Sequence, residues 1–171
     1  MKKIGKVFIV VFLFLMAGSL SAQTGEKFGH LDFAELYNSM PGLDSVKIRY
    51  EQYARTIQRQ FDAMQGELEN KVLDYQTNLE TMSTIIKQTK EKEIQDLQAR
   101  MEAFQYSAQQ DMQSKEAELT APLIEKAEKA VKEVAKEHGF TYIFNTTGGL
   151  VLFADPGDDI LDLVKAKLGI Q

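Results

Sequence analysis

The sequence predicts a mainly helical α+β protein: one long antiparallel helical hairpin, a coiled-coil-like arm, projecting from a small β body. Three observations carry that expectation. Residues 44–138 contain one proline, Pro122, and one glycine, Gly66, amid Gln, Glu, Lys and Ala, the composition of long exposed helices. Inside that stretch two apolar stripes recur at helical spacing and mirror one another. Outside it lie short strand-like segments that find partners only if the middle of the chain folds back.

The chain opens with Lys2, Lys3 and Lys6, then an apolar run from Val7 to Met16, then small residues from Ala17 to Ala22. These are the three parts of a secretory signal, and the run is shorter than the roughly 20 residues of a membrane-spanning helix. Residues 1–22 are therefore expected to be cleaved after Ala22; retention as an anchor is the alternative. The chain carries a net charge of −5, and loss of the three lysines leaves 17 basic against 25 acidic residues, about −8. An acidic chain argues against nucleic acid, whose binding is driven by cations on phosphates, and against a strong electrostatic grip on anionic lipid. With no cysteine there is no disulfide, thiolate nucleophile or cysteine metal site.

Residues 23–43 are read as the N-terminal strand and short helix of the body, with the strand at Phe28–Phe33. The outgoing arm helix is assigned to residues 44–84. Its apolar positions Val46, Tyr50, Tyr53, Ile57, Phe61, Met64, Leu68, Val72, Tyr75 and Leu79 advance in steps of four, three and four, an 11-residue repeat. That repeat averages 3.67 residues per turn and predicts a nearly straight arm. The returning helix, residues 85–138, carries Ile94, Leu97, Met101, Phe104, Ala108, Met112, Leu119 and Leu123. The stripes mirror each other about a point between Thr84 and Ile85, which would pair Val46 with Leu123, Tyr50 with Leu119, Ile57 with Met112, Phe61 with Ala108, Leu68 with Met101, Val72 with Leu97 and Tyr75 with Ile94. Weak helix formers from Thr81 to Ile86 suit an apex there. A single unbroken helix pairing with a second copy would make the same contacts in trans; the strand-like ends favour the hairpin.

Residues 139–171 return to the body. Gly139 is expected to end the long helix in the left-handed conformation. Tyr142–Asn145 and Leu150–Ala154 are expected to form a β-hairpin about Thr146-Thr147-Gly148-Gly149. Asp155-Pro156-Gly157 reads as a turn, and Asp158 or Asp159 as the cap of a final helix faced by Ile160, Leu163, Val164 and Leu168. A two-helix arm and a three-stranded sheet bury little by themselves, so self-association is expected.

The order of parts resembles the Skp/OmpH family of periplasmic chaperones. The resemblance rests on Phe28-Gly29-His30-Leu31-Asp32-Phe33, on Leu36–Pro41 (LYNSMP), on Ala121-Pro122-Leu123-Ile124, on Val134–Phe140 (VAKEHGF) with the strand segments after it, and on Asp159-Ile160. It implies a periplasmic trimer whose arms surround a cavity and hold unfolded outer-membrane β-barrel proteins without ATP. It brings no catalytic residues and no cofactor. The acidic charge departs from the strongly basic members; only Lys87, Lys90 and Lys92 near the apex form a basic cluster, so contact with membrane or lipopolysaccharide is left unassigned.

The stripe residues are read as the packing seam between the arms. Client contact is placed on apolar residues beside it, Ile48, Leu73, Ile85, Ile86 and Tyr106, as many weak contacts. Pro122 and Gly66 are candidate soft points, since proline costs up to about 3 kcal/mol and glycine about 1 kcal/mol within a helix. His30 and His138 lack metal-ligand spacing, the Asp155, Asp158 and Asp159 group lacks an EF-hand pattern, and no catalytic motif is present. An enzyme is therefore not expected. The competing function is a structural coiled-coil scaffold or spacer of the cell envelope.

Overall fold

The computed structural model describes residues 26–170; the expected signal segment, residues 1–22, lies outside them. Strand β1 (Phe28–Leu31) leads through Asp32 into helix α1 (Phe33–Asn38). The arm helices are α2 (Leu43–Asn78) and α3 (Thr84–His138); β2 (Tyr142–Asn145) and a last helix α4 (Leu161–Leu168) follow. The arm is thus an antiparallel helical hairpin within one chain.

Each boundary has a local cause. The Asp32 carboxylate accepts from the amides of Ala34 and Glu35 and starts α1. Gly42, at φ 99°, takes the left-handed turn that separates α1 from the arm. The Ser83 hydroxyl accepts from the Ile86 amide and starts α3. Gly139 closes α3 at φ 71° and donates to the Ala135 carbonyl, as its sequence position predicts. Pro122 lies inside α3, which continues through it.

The body sheet departs from expectation. β1 and β2 pair in parallel, Phe28 opposite Tyr142 through Leu31 opposite Asn145. Parallel neighbours need a long crossover, and here the whole arm is that crossover. The expected hairpin between residues 142–145 and 150–154 does not form. After Asn145 the chain turns immediately: the Asn145 side chain accepts from the Thr147 amide, and a 3-10 turn runs over Thr147–Gly149. Leu150–Ala154 then makes no strand. On the other edge of β1, the Ile160 amide donates to the His30 carbonyl.

The core lies where α1, α4 and the root of α3 meet β1. Leu31, Leu36, Met40, Ala127, Ala130, Val134, Ile160, Leu161 and Val164 form one buried cluster. Burying a residue such as Leu36 contributes roughly 1.5–3 kcal/mol. Gly29 sits where the sheet meets Phe140 and Ile160; an added Cβ would stand 3.0 Å from the Phe140 ring and 3.1 Å from Ile160.

The hairpin register also differs from the mirror drawn in the sequence. Phe61 stacks on Phe104, ring centroids 6.5 Å apart, rather than facing Ala108. Leu123 reaches Gly42, where a Cβ would lie 3.8 Å from its Cδ2, rather than Val46. Both differences are four positions, about one helical turn. The cause is the apex: α2 stops at Asn78 and Ser83 caps α3, so Thr84, Ile85 and Ile86 are the first turn of α3 and the bend lies at Leu79–Ser83. A slip of one turn leaves the same stripe facing inward.

Candidate functional site

The seam residues fall together along the inner line of the hairpin. Val46, Tyr50, Ile57, Phe61, Leu68, Val72 and Tyr75 on α2 are half-buried, as are Ile94, Met101, Phe104, Met112, Leu119 and Leu123 on α3. Leu97 is fully enclosed, as is Ala127 where α3 meets the body. A two-helix arm covers each stripe on one side only, so half-burial is what the geometry permits.

The residues singled out for client contact are all solvent-exposed: Ile48 at 55 %, Leu73 at 62 %, Ile85 at 76 %, Ile86 at 48 % and Tyr106 at 67 %. Their placement differs in one respect. Ile48 is two positions from both Val46 and Tyr50, and Tyr106 two from Phe104, about 200° around the helix. Ile48, Leu73 and Tyr106 are therefore on the sides turned away from the seam, not beside it. Ile124 is exposed too, and stands on the same side of α3 as Tyr106.

The distal half of the arm is laced by ion pairs that sequence reading missed. Lys71 binds Glu93 at 2.8 Å, Lys90 binds Asp74 at 2.6 Å and Arg100 approaches Glu67 at 3.8 Å; the Tyr75 hydroxyl donates to Glu91. The hydrogen bond and charge of Lys90 hold Asp74 below its ordinary value, and Asp74 raises Lys90. Lys71 likewise lowers Glu93. The tip is accordingly less basic than its lysines suggest: Lys90 is neutralised, Lys87 is half-buried and Lys92 stays exposed. Only the true register, which sets Asp74 opposite Lys90, could have exposed these pairs. At surface exposure each is worth little to stability.

Gly66 has open space around it; no atom lies within 4 Å of a would-be Cβ. His30 Nε2 contacts the Asp155 carbonyl oxygen at 2.9 Å. The Asp155 carboxylate accepts from the Gly157 amide and that of Asp159 from the Leu161 amide, both at 2.8 Å, which accounts for two members of the acidic group as turn and helix caps. Among the described residues no group of His, Cys, Asp or Glu is arranged to hold a metal ion, and no helix is long and apolar enough to cross a membrane.

Within the body a polar latch ties the end of β2 to the start of α1. Thr147 Oγ1 donates to Asp32 Oδ1 at 2.7 Å and accepts from the Ala34 amide at 3.0 Å, while Asn145 Oδ1 accepts from the Phe33 amide at 3.1 Å. The hydrogen bond from Thr147 is the main cause that lowers the Asp32 carboxyl from its ordinary value. Beside the latch an open hollow of about 370 Å³ is lined by Phe33, Tyr37, Thr120, Ile124, Asn145 and Thr147, with Ala34 and Glu116 at its rim. Leu150, Leu152 and Phe153 are 87 %, 99 % and 83 % exposed, and Phe153 shares an open hollow with the partly exposed rings of Phe28 and Phe144.

This architecture, a long hairpin on a small body with apolar side chains left in water, agrees with the comparisons. The Chaperone protein Skp of Pectobacterium atrosepticum is 23 % identical over 154 residues, covering 88 % of this chain and 91 % of that one. That of Photorhabdus laumondii is 24 % identical over 156 residues, covering 90 % and 92 %. A crystal structure of an OmpH-like outer membrane chaperone from Caulobacter crescentus superposes with a TM-score of 0.65 at 16 % identity, covering 84 % of this chain and 83 % of that one, and shows the shared fold. The family model for outer membrane protein (OmpH-like) matches residues 27–168, from the lysine before β1 to the end of α4, so the whole body and arm are accounted for and the chain belongs to the OmpH-like family.

Proposed function

We propose that the chain is an ATP-independent holdase chaperone that acts in the periplasm, binding unfolded outer-membrane β-barrel proteins and keeping them from aggregating. The supporting observation is the arm itself. It is long, its seam is satisfied internally, and its outer sides still present Ile48, Leu73, Ile85, Ile86, Tyr106 and Ile124 to water. Single exposed apolar side chains are ordinary on protein surfaces; strung along one long arm, these stand within reach of a single unfolded chain. Spread over two helices, such groups offer many weak contacts and no single deep pocket, which suits a client with no fixed shape.

Self-association belongs to the same proposal. Leu150, Leu152 and Phe153 lie almost wholly in solvent, Phe153 beside exposed aromatic rings on β1 and β2. A sheet of two strands is marginal by itself. A trimer through this surface would complete the body and set three arms about a common cavity.

The test is light scattering of a urea-unfolded outer-membrane protein diluted into buffer without ATP, with and without the mature chain. Suppression saturating near three chains per client supports the trimeric holdase. A folded, oligomeric chain that leaves aggregation unchanged favours the envelope scaffold instead.

A further inference from the structure

The two outward sides of the arm differ in charge, and this assigns them different tasks. On α3 a stripe runs from Gln95 to Ile124 in steps of three and four, through Ala99, Ala103, Tyr106, Ala117 and Ala121, with glutamine at its remaining positions. Each member is solvent-exposed. Most lie two positions from a seam residue, as Ala103 does from Met101, Tyr106 from Phe104 and Ala121 from Leu119, while Gln113 and Ile124 stand seven and eighteen residues from Tyr106, on its side of the helix, so the stripe faces away from α2. Its members carry no charge over roughly 44 Å, at 1.5 Å per residue, although 26 % of the chain is charged and exposed Asp96 and Glu102 border the stripe on either side. Lys92 precedes it and Glu128 follows it. The outward side of α2 is the opposite: Ile48 and Leu73 share it with Arg55, Arg59, Asp62 and Glu69.

Narrowing the contact surface from two helices to one, we infer from this asymmetry that the outward stripe of α3 is the surface on which an uncharged, apolar-rich segment of unfolded polypeptide lies, and that the outward side of α2, Ile48 and Leu73 included, makes no contact the client needs. The inference rests on the holdase reading and adds where the client sits. The match is neutral against neutral. A charge covered by a client segment would lose its water without gaining a partner, at a cost of kilocalories per mole. Alanines keep the stripe low, so an extended backbone can approach the helix closely, and Tyr106 and Ile124 stand up from it as anchors. The stripe also has a destination: Ile124, its last member, is a wall of the hollow at the arm root, where Phe33 and Tyr37 add aromatic surface. A segment following the stripe inward therefore ends against apolar side chains of the body.

The experiment places charge on each side in turn. The Ala103→Glu/Ala117→Glu variant puts two carboxylates on the α3 stripe; Gln52→Glu/Asn70→Glu puts two on the outward side of α2. Glutamate is a good helix former, and circular dichroism with sedimentation confirms that both variants keep the helical content and assembly of the wild type. Protection of a urea-unfolded β-barrel protein is then titrated. We expect the stripe variant to need about tenfold more protein for half-protection, the equivalent of about 1.4 kcal/mol, and the α2 variant to match wild type. Equal protection by both variants, with wild type active, overturns the assignment to α3 and leaves the holdase reading standing. An inactive wild type overturns the holdase reading itself.

Discussion

The arm register gives a sharp test, because the chain has no cysteine to confuse a disulfide experiment. Phe61 and Phe104 stack across the hairpin with centroids 6.5 Å apart. The Phe61→Cys/Phe104→Cys variant should oxidise readily within one chain. Moving the second site to Ala108 displaces it by four residues, about 6 Å along the helix, which carries its Cα beyond the about 7 Å that a disulfide spans. The bridge between 61 and 104 closes a loop of roughly 43 residues, worth about 4 kcal/mol in the chain-entropy model. Loss of the stacked rings removes about 0.5–1.5 kcal/mol beyond their buried area, so the net gain falls below that figure. Non-reducing gel mobility at low micromolar concentration, followed by urea denaturation of the oxidised and reduced forms, reads both quantities. Faster oxidation of Phe61→Cys/Ala108→Cys, or a covalent dimer as the main product of either variant, would refute the register and the hairpin respectively.

Other outcomes follow from the same contacts. Leu97→Ala, at the fully enclosed position of the seam, should cost about 2–5 kcal/mol, seen as faster hydrogen exchange along α2 and α3 with the body unaffected. Gly29→Ala forces a methyl against Phe140 and Ile160 and should destabilise by about 1–3 kcal/mol, read as a lower urea midpoint. Gly66→Ala has room for its methyl and should stabilise the arm by about 1 kcal/mol; a loss of client protection in that stabler variant would show that bending at Gly66 matters. Asp32 has a lowered folded pKa, so its contribution is fully present above the unfolded value near 3.8 and is lost as pH falls through the lower folded value. Thr147→Ala removes the largest cause of that lowering, so acid unfolding monitored by circular dichroism should show a flatter stability slope below about pH 4.

Much of the architecture was legible in the sequence because the arm is periodic. Helical spacing sets which face is inside, and that face survives a slip of one turn; the stripes could therefore be identified while their register was misplaced. The deciding residue was Ser83, whose capping bond outweighs the weak helix propensity of Thr84, Ile85 and Ile86. The body was harder. Tyr142–Asn145 and Leu150–Ala154 both look like strands, and Gly148-Gly149 looks like their turn. Nothing local reveals that β1 occupies one edge of β2, or that Asn145 and Thr147 are drawn to the start of α1. The latch and the cross-arm ion pairs join residues far apart in sequence, and such pairs have no local signature. The client surface was half legible: exposure of Tyr106 was foreseeable, but the neutral stripe on α3 stands out only when the seam defines which way is outward.

Because α2 begins beside Leu123 of α3, the two arm helices rise from the body at one place, like a mast stepped into a hull. Its height is then independent of the hull's construction. Removing one 11-residue unit from α2 and its counterpart from α3 would take out three turns from each helix, keep the seam in phase and lower the mast by about 16 Å. The sheet, the latch and the core would be untouched. Arm length is thus a dial that evolution, or an engineer, can turn in steps to suit a smaller or larger cargo.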